Sequence, residues 1–155
     1  MDALYAMHHL MDDEDGAVID KICECKHKVA LIMKFLKSGL DEESRAAARV
    51  IGHIFSGPNA KNIDIFLFNG ALDAMSNLLT PDSAAQTQQE RTELLWALSN
   101  VTAGTADHIR AFMSHPALLD QVLSFTESTH GSVQAESILV LTNLVTTCPD
   151  SHITK

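Results

Sequence analysis

The sequence predicts an all-α fold in which about three copies of one helical unit stack as a right-handed solenoid. The first reason is composition. Only 7 glycines and 4 prolines interrupt the 155 residues, and the long segments between them are rich in the strong helix formers Ala, Leu and Met. The second reason is a pattern that recurs three times along the chain. Such recurrence is typical of repeat proteins, in which each unit buries its apolar face against its neighbours.

The three copies of the pattern begin at Arg49 (RVIGHIFSG), Trp96 (WALSNVTAG) and Leu139 (LVLTNLVT). Their starting points are 47 and 43 residues apart. The polar segment TPDSAAQTQQ at 80–89, a predicted surface loop, accounts for most of the extra length in the first interval. A period of about forty residues is typical of armadillo and HEAT repeats.

Glycine, proline and capping residues divide each unit into three helices. Asn59 and Thr105 are candidate N-caps, whereas Gly70 and Gly104 are candidate helix ends. Three helices per unit favour an armadillo repeat over the two-helix HEAT repeat. With their caps, the predicted helices span residues 15–25, 29–37, 41–56, 59–68, 71–79, 88–103, 105–114, 116–127 and 131–147.

These units are assigned to a single armadillo-repeat domain covering the whole chain. Its segments are a leading helix with an acidic linker at 1–14, repeat one at 15–57, repeat two at 58–104, repeat three at 105–148 and the interrupted start of a further repeat at 149–155. Repeat stacks need polar caps at both ends. A chain that stops within the pattern is therefore expected to be part of a longer solenoid or to form a homo-oligomer through its uncapped repeat ends.

Charge and cysteine content limit the kinds of partner and compartment. The net charge of −9 repels phosphate backbones and anionic membranes and favours basic partners, so neither nucleic acid nor membrane is an expected ligand. The first residues, MDALYAMHHL, show neither a secretory leader nor a membrane span. Three cysteines, an odd number, indicate free thiols in the reducing cytoplasm or nucleus.

The long helix of repeat two has an apolar face that is predicted to be buried. Because successive helical residues turn by about 100°, this face is formed by Leu94, Leu98 and Val101, with Leu95 and Thr102 beside them.

The opposite face carries the candidate binding residues. They are Glu93, Trp96 and Asn100 in repeat two, Glu136, Leu139 and Asn143 at the equivalent positions of repeat three, and Ala46, Arg49 and His53 in repeat one. When repeats stack, these positions follow one another along one surface. That surface is the concave groove of an armadillo solenoid.

The candidate residues suit recognition of an extended basic peptide. An asparagine amide can both donate to and accept from a peptide backbone. Trp96 can hold the aliphatic stem of a lysine or arginine, while Glu93 and Glu136 attract its charge. Simpler interpretations stay open: Trp96 packs on a neighbouring helix beside a solvated Asn100, and Arg49 pairs with an acid instead of facing the groove.

From Arg45 to Cys148 the chain resembles importin-alpha, the adaptor that carries cargo with a nuclear localisation signal. LLWALSNVTAGTADHI is similar to the tryptophan-x-x-x-asparagine repeat of that family, and ARVIGHIFSG with NGALDAMSNLL is similar to the preceding repeat. Arg49 in place of tryptophan resembles the repeats of the C-terminal, minor signal-binding site. The sequence departs from the pattern at His53, where asparagine is expected, and at Leu139, where tryptophan is expected.

The resemblance implies a groove that binds basic signals through Trp96, Asn100, Glu93, Asn143 and Glu136. The sequence does not contain the Arg- and Lys-rich tail by which importin-alpha recruits importin-beta. We therefore expect a chain that holds cargo without running an import cycle. The alternative is an armadillo scaffold outside transport, which binds another partner or assembles with itself.

Other clusters carry weaker signals. CECKH holds Cys23, Cys25 and His27, which are zinc-binding residue types, but residues two apart on a helix point about 200° from each other and no fourth ligand is evident. DDEDG at 12–16 lacks the outer acidic ligands of an EF-hand loop and is better interpreted as an acidic linker.

Catalytic signatures are missing as well. His8 and His9 have no second half of a hydrolase motif, and the sequence contains no G-x-S-x-G, P-loop or dinucleotide fingerprint. The sequence thus predicts a protein-binding adaptor that is not an enzyme and uses no metal or cofactor.

Overall fold

The computed structural model describes residues 16–39, 42–80 and 86–147, and every regular element in these ranges is an α-helix. The helices are α1 Gly16–Cys23, α2 Lys26–Leu36, α3 Glu42–Ser56, α4 Ala60–Phe68, α5 Ala71–Leu78, α6 Gln88–Thr102, α7 Ala106–Met113, α8 Pro116–Phe125 and α9 Gly131–Thr147. They form three successive groups of two shorter helices and one longer helix. The predicted all-α class and the three helices per unit are confirmed.

The junction between the first two predicted helices differs most from the structure. The first was expected to end at Cys25 and the second to begin at Val29, whereas α1 ends at Cys23 and α2 begins at Lys26. Cys25 is the N-cap of α2, with an extended backbone at φ −90° and ψ 97°. Its carbonyl accepts hydrogen bonds from the N–H groups of Lys28 and Val29, which starts the second helix. The two predicted bounds were therefore wrong by two and three residues, and CECKH spans the junction between the two helices.

Side-chain caps set several of the other helix starts. Asn59 accepts from the N–H of Lys61 at 3.2 Å, as predicted for an N-cap. Thr105 caps α7 and forms a capping box with His108. A second capping box joins Thr87 and Glu90 at the start of α6, and the T-x-x-E spacing that signals it was not used in the sequence interpretation.

Equivalent helices of the three groups stack on one another. The first helices form one layer (α1, α4 and α7), the second helices another (α2, α5 and α8) and the third helices a third (α3, α6 and α9). The third helices make the most extensive contacts, α3 with α6 and α6 with α9. Helix α6 is therefore covered on both sides, and these two interfaces determine the surface that the third helices share.

One continuous apolar core runs through the stack, from Ile19 in α1 to Leu144 in α9. The predicted buried face of α6 is confirmed, since none of its residues is more than 3% exposed. These residues are Leu94, Leu95, Leu98, Val101 and Thr102.

Polar contacts tie neighbouring groups together. The Asp20 carboxylate accepts from the amides of Asn59 at 2.9 Å and Asn62 at 2.8 Å, and these bonds lower the pKa of Asp20. Between the second and third groups, the Gln121 amide donates to the Ser76 carbonyl at 3.0 Å and accepts from the Ser76 hydroxyl at 3.1 Å. Each interface thus combines apolar burial with direction-specific hydrogen bonds.

Some predictions fall outside the described residues. They concern the leading helix and acidic linker at 1–14, most of the loop at 80–89, and the segment 149–155. No helix in the described ranges is long and apolar enough to span a membrane.

Candidate binding surface on the third helices

The predicted binding positions lie on α3, α6 and α9, whose side-by-side packing places them at two interfaces. We call the residues Arg49, His53, Glu93, Trp96, Asn100, Glu136, Leu139 and Asn143 the third-helix ladder. The structure brings the α3 members against α6 and the α9 members against α6. The two interfaces use these residues differently.

Trp96 packs against α3 on one side of its ring. The ring meets His53 edge-on, with 5.3 Å between centroids and 77° between planes. It also lies over Gly52, where an added Cβ would be only 2.6 Å from the ring carbon Cζ3. Trp96 nevertheless remains half-buried, so part of the ring is accessible. The simpler interpretation of packing on a neighbouring helix therefore describes one side of this residue.

Gly52 is the structural residue that sequence reasoning missed. It allows the indole of Trp96 to approach the backbone of α3, a contact that any side chain at this position would obstruct. A signal was available, because Gly52 stands in the interior of a helix, where glycine costs about 1 kcal/mol relative to alanine and usually has a packing reason.

Arg49 pairs with an acid of the next repeat. Its Nη2 and Nε lie 2.8 and 3.0 Å from Oε1 of Glu93, and the amide of Gln89 donates to the same oxygen at 3.1 Å. One turn earlier, Nε of Arg45 lies 3.0 Å from Oε1 of Glu90. The question left open about Arg49 is answered by this ion pair, which joins α3 to α6.

The two asparagines of the ladder differ in their bonding. Asn143 donates from Nδ2 to the backbone carbonyl of Ser99 at 2.9 Å, which attaches α9 to α6. Asn100 is half-buried, and its Nδ2 is shielded from solvent without a hydrogen-bond acceptor in the described ranges. An unsatisfied amide of this kind costs roughly 1–3 kcal/mol. Of these two amide nitrogens, that of Asn100 is therefore the one with both N–H donors left for another molecule.

Glu136 is the second polar group with spare capacity. Its Oε2 is buried and lacks a hydrogen-bond donor within the part of the chain that is described. Burial raises the pKa of Glu136, while a hydrogen bond with the Ser99 side chain acts in the opposite direction. A partly dehydrated carboxylate gains when a cation approaches it. Ser99 directly precedes Asn100 in α6. Its bond with Glu136 therefore brings the Glu136 carboxyl close to the turn of α6 that carries Asn100.

The remaining ladder positions are less polar. Leu139 is 44% exposed and presents an aliphatic surface where Trp96 presents an indole in the preceding repeat. His53 is half-buried against Trp96. His53 therefore lacks the side-chain amide expected at its position, and Leu139 lacks the indole expected at its position.

CECKH is the candidate cluster that lies within the described residues. Cys23 is buried, which raises the pKa of its thiol to about 12, and Cys25 is a free half-buried thiol. The described ranges contain no group of three or more His, Cys, Asp or Glu residues arranged to hold a metal ion. A cleft of about 260 Å³ opens beside the ladder and is lined by Arg45, Arg49, Thr87, Gln89, Glu90 and Glu93.

No family model and no curated protein matches the chain. Solved structures do match it. A designed armadillo repeat protein in complex with the peptide (KR)4 is similar with a TM-score of 0.78 and 22% identity, over 92% of this chain and 56% of that one. A second designed armadillo repeat protein gives 0.75 and 22%, over 90% and 57%. An engineered protein gives 0.79 and 25%, over 92% and 33%.

These likenesses establish the class of fold. The chain spans little more than half the length of the two designed armadillo proteins. The agreement over nine tenths of this chain, together with the three-layer stacking of the helices, confirms the predicted right-handed armadillo solenoid of about three repeats.

Proposed function

We propose that this protein is a non-enzymatic adaptor that binds an extended basic peptide segment along the third-helix ladder. The observation that carries the proposal is the pair of unsatisfied polar atoms on the helices that carry the half-buried Trp96 and its neighbouring repeat. These are Nδ2 of Asn100, one helical turn after Trp96 on α6, and Oε2 of Glu136 on α9, whose carboxyl bonds to the side chain of Ser99 on α6. A donor for a peptide carbonyl, a carboxylate for a basic side chain and an aromatic wall are the three groups that such a ligand requires.

Each group has a defined task in this proposal. Rotation about the last side-chain bond of Asn100 presents its amide to a peptide carbonyl, and this torsion is soft. The accessible side of Trp96 takes the aliphatic stem of a lysine or arginine, a contact worth about 0.5 to 2 kcal/mol according to desolvation. Glu136 then receives the charge at the end of that stem. The net charge of −9 adds long-range attraction.

The ligand class has support from a structural neighbour. One of the similar designed armadillo proteins is in complex with the peptide (KR)4, which alternates lysine and arginine. In cells, the basic segments that would fit are nuclear localisation signals, and the resemblance to importin-alpha points to nuclear protein import with a location in cytoplasm and nucleus.

The first test is a titration of the (KR)4 peptide followed by intrinsic fluorescence. Trp96 is the single tryptophan of the chain, so its emission reports on the candidate site directly. We expect a saturable change in emission that weakens with added salt. An octapeptide with glutamate at every position should cause no change. If the wild type does not bind (KR)4 up to about 100 μM, which corresponds to roughly 5 kcal/mol of affinity, the basic-peptide proposal is wrong.

A pair of variants separates the ladder from other aromatic surfaces. With a labelled peptide and fluorescence anisotropy, Trp96→Ala should weaken binding by roughly tenfold, the loss of about 1.4 kcal/mol of cation–π and stem contact. Phe68→Ala is the matched control, because Phe68 is 93% exposed and lies on α4 in the layer of first helices. Equal loss in both variants would count against the ladder.

The alternative function is an armadillo scaffold outside transport. It is favoured by the ion pair that already engages Glu93 and by the aliphatic Leu139, since both reduce the number of complete peptide-binding positions. Binding of an uncharged extended peptide as tightly as (KR)4, with no dependence on salt, would support this alternative.

A further inference from the structure

We propose that Arg49 is a built-in competitor that occupies, within the chain, the place a basic side chain of the ligand would take at Glu93. This inference rests on the proposed function, because it concerns which part of the ladder is open to a basic peptide. A basic peptide would therefore first contact the ladder residues at the α6–α9 interface. It would reach Glu93 at the α3–α6 interface only after Arg49 moves away.

The geometry at Glu93 is that of an occupied site. Two guanidinium nitrogens of Arg49 lie within 3.0 Å of Oε1, and the Gln89 amide lies at 3.1 Å from the same atom. A ligand arginine would bring the same guanidinium to the same carboxylate. Because Oε1 already accepts three donors, an incoming guanidinium can pair with both oxygens of Glu93 only after Arg49 leaves Oε1.

The α6–α9 interface has residues at the equivalent positions, but no arginine stands where Arg49 stands in α3. Trp96 stands in α6 where Arg49 stands in α3, and Glu136 stands in α9 where Glu93 stands in α6. No basic side chain pairs with Glu136 in the described ranges, and its Oε2 accepts no hydrogen bond there. One exchange of arginine for tryptophan therefore separates a carboxylate paired with a cation from one that has no basic partner in the described ranges.

Arg49 is able to move away. Its side chain is 30% exposed, and it borders the cleft of about 260 Å³ that also adjoins Thr87 and Gln89. Because both side chains keep some contact with solvent, water and salt screen the ion pair, so displacement costs a ligand some affinity without being prohibitive. The pair thus lowers the affinity of the ladder for basic peptides and does not abolish it.

The test compares Arg49→Ala with Arg45→Ala in titrations of (KR)4 at low salt. Arg45 is a matched control, since it lies one turn earlier on α3 and pairs with Glu90, the capping residue of α6, at 3.0 Å. Both variants remove one positive charge, but only the first frees Glu93. We expect Arg49→Ala to bind about fivefold more tightly than wild type and Arg45→Ala less than about twofold more tightly.

A second substitution identifies the freed group. Glu93→Gln in the Arg49→Ala background should erase the gain, whereas Glu93→Gln alone should change affinity by less than about twofold. A merely structural role for Arg49 predicts lower thermal stability with unchanged or weaker binding, so tighter binding combined with equal or lower stability distinguishes the two.

The outcomes separate this inference from the proposed function. If wild type binds (KR)4 but Arg49→Ala binds no more tightly than Arg45→Ala, or if its gain survives Glu93→Gln, the competitor role is wrong and the peptide-binding function stands. If all folded variants, confirmed by circular dichroism, fail to bind, then the proposed function fails and the inference fails with it.

Discussion

The α3–α6 and α6–α9 interfaces join equivalent helices but use their polar residues in different ways. At the first, Arg49 and Glu93 form an ion pair at 2.8 Å. At the second, Asn143 donates to the carbonyl of Ser99 at 2.9 Å, and the Glu136 carboxylate has an unsatisfied oxygen. The chemistry of a repeat is therefore set by residue pairs across an interface, not by the motif of one helix.

The largest expected effect is on stability, and it compares a buried position of α6 with the equivalent exposed position of α9. Leu95 on α6 is fully buried, whereas Ile138 at the equivalent position of α9 is 48% exposed. Leu95→Ala should lower the free energy of unfolding by about 3 kcal/mol, and Ile138→Ala by less than about 1 kcal/mol. Urea denaturation followed by circular dichroism measures both. Similar losses would mean that Ile138 is covered in solution by another molecule.

A second prediction tests the packing that is special to the α3–α6 interface. Gly52→Ala places a methyl group 2.6 Å from Cζ3 of Trp96 and should cost about 2 kcal/mol of stability despite the better helix propensity of alanine. In a Trp96→Ala background the clash is absent, so the same change should be neutral or stabilising by up to about 1 kcal/mol.

Gly131→Ala is the control for this cycle, because an added Cβ there meets nothing within 4 Å. Thermal unfolding of the four proteins gives the coupling energy. Additive effects of Gly52→Ala and Trp96→Ala would contradict the close approach of the indole to α3.

The third prediction separates the two asparagines. Asn143→Ala should cost about 1 kcal/mol of stability, because it removes the bond to Ser99 between α9 and α6. Asn100→Ala should raise stability by roughly 1 kcal/mol but weaken binding of (KR)4, since it removes a shielded amide donor that is unused within the described ranges. Measuring both quantities for both variants sharpens the comparison, and the reverse assignment would overturn it.

The smallest effect concerns pH. Burial raises the pKa of Glu136, so the folded protein retains a proton at pH values where the unfolded chain has lost it. Ionised Glu136 therefore reduces stability above its raised pKa, and this cost disappears as pH falls through that value. Glu136→Gln should stabilise the protein by less than about 1 kcal/mol at pH 7 and less at pH 5.

The affinity for a basic peptide should also depend on whether Glu136 is ionised. Wild-type binding of (KR)4 should weaken as acid protonates Glu136, and Glu136→Gln should bind weakly at both pH values. The variant also controls for His53, which borders Trp96 and is present in both proteins. An identical pH profile in the two proteins would remove Glu136 from the site.

Local signals account for what could be read from the sequence. Asn59 and Thr105 were recognisable as caps because their side chains bond to N–H groups two or three residues away. The buried face of α6 was recognisable because helical periodicity places its leucines together. The break between the first two helices was predicted, but its position was two to three residues off, since neither Gly nor Pro marks the junction and Cys25 caps α2 without a side-chain hydrogen bond.

The sequence by itself therefore determined the helices, the repeat period and the set of ladder residues, all of which depend on neighbours within a few turns. Only the tertiary structure decided which ladder groups are engaged. Arg49 meets Glu93 across 44 residues and Asn143 meets Ser99 across the same interval. Such pairs depend on the register of one helix against the next, and that register follows from packing of the whole core and not from any single segment.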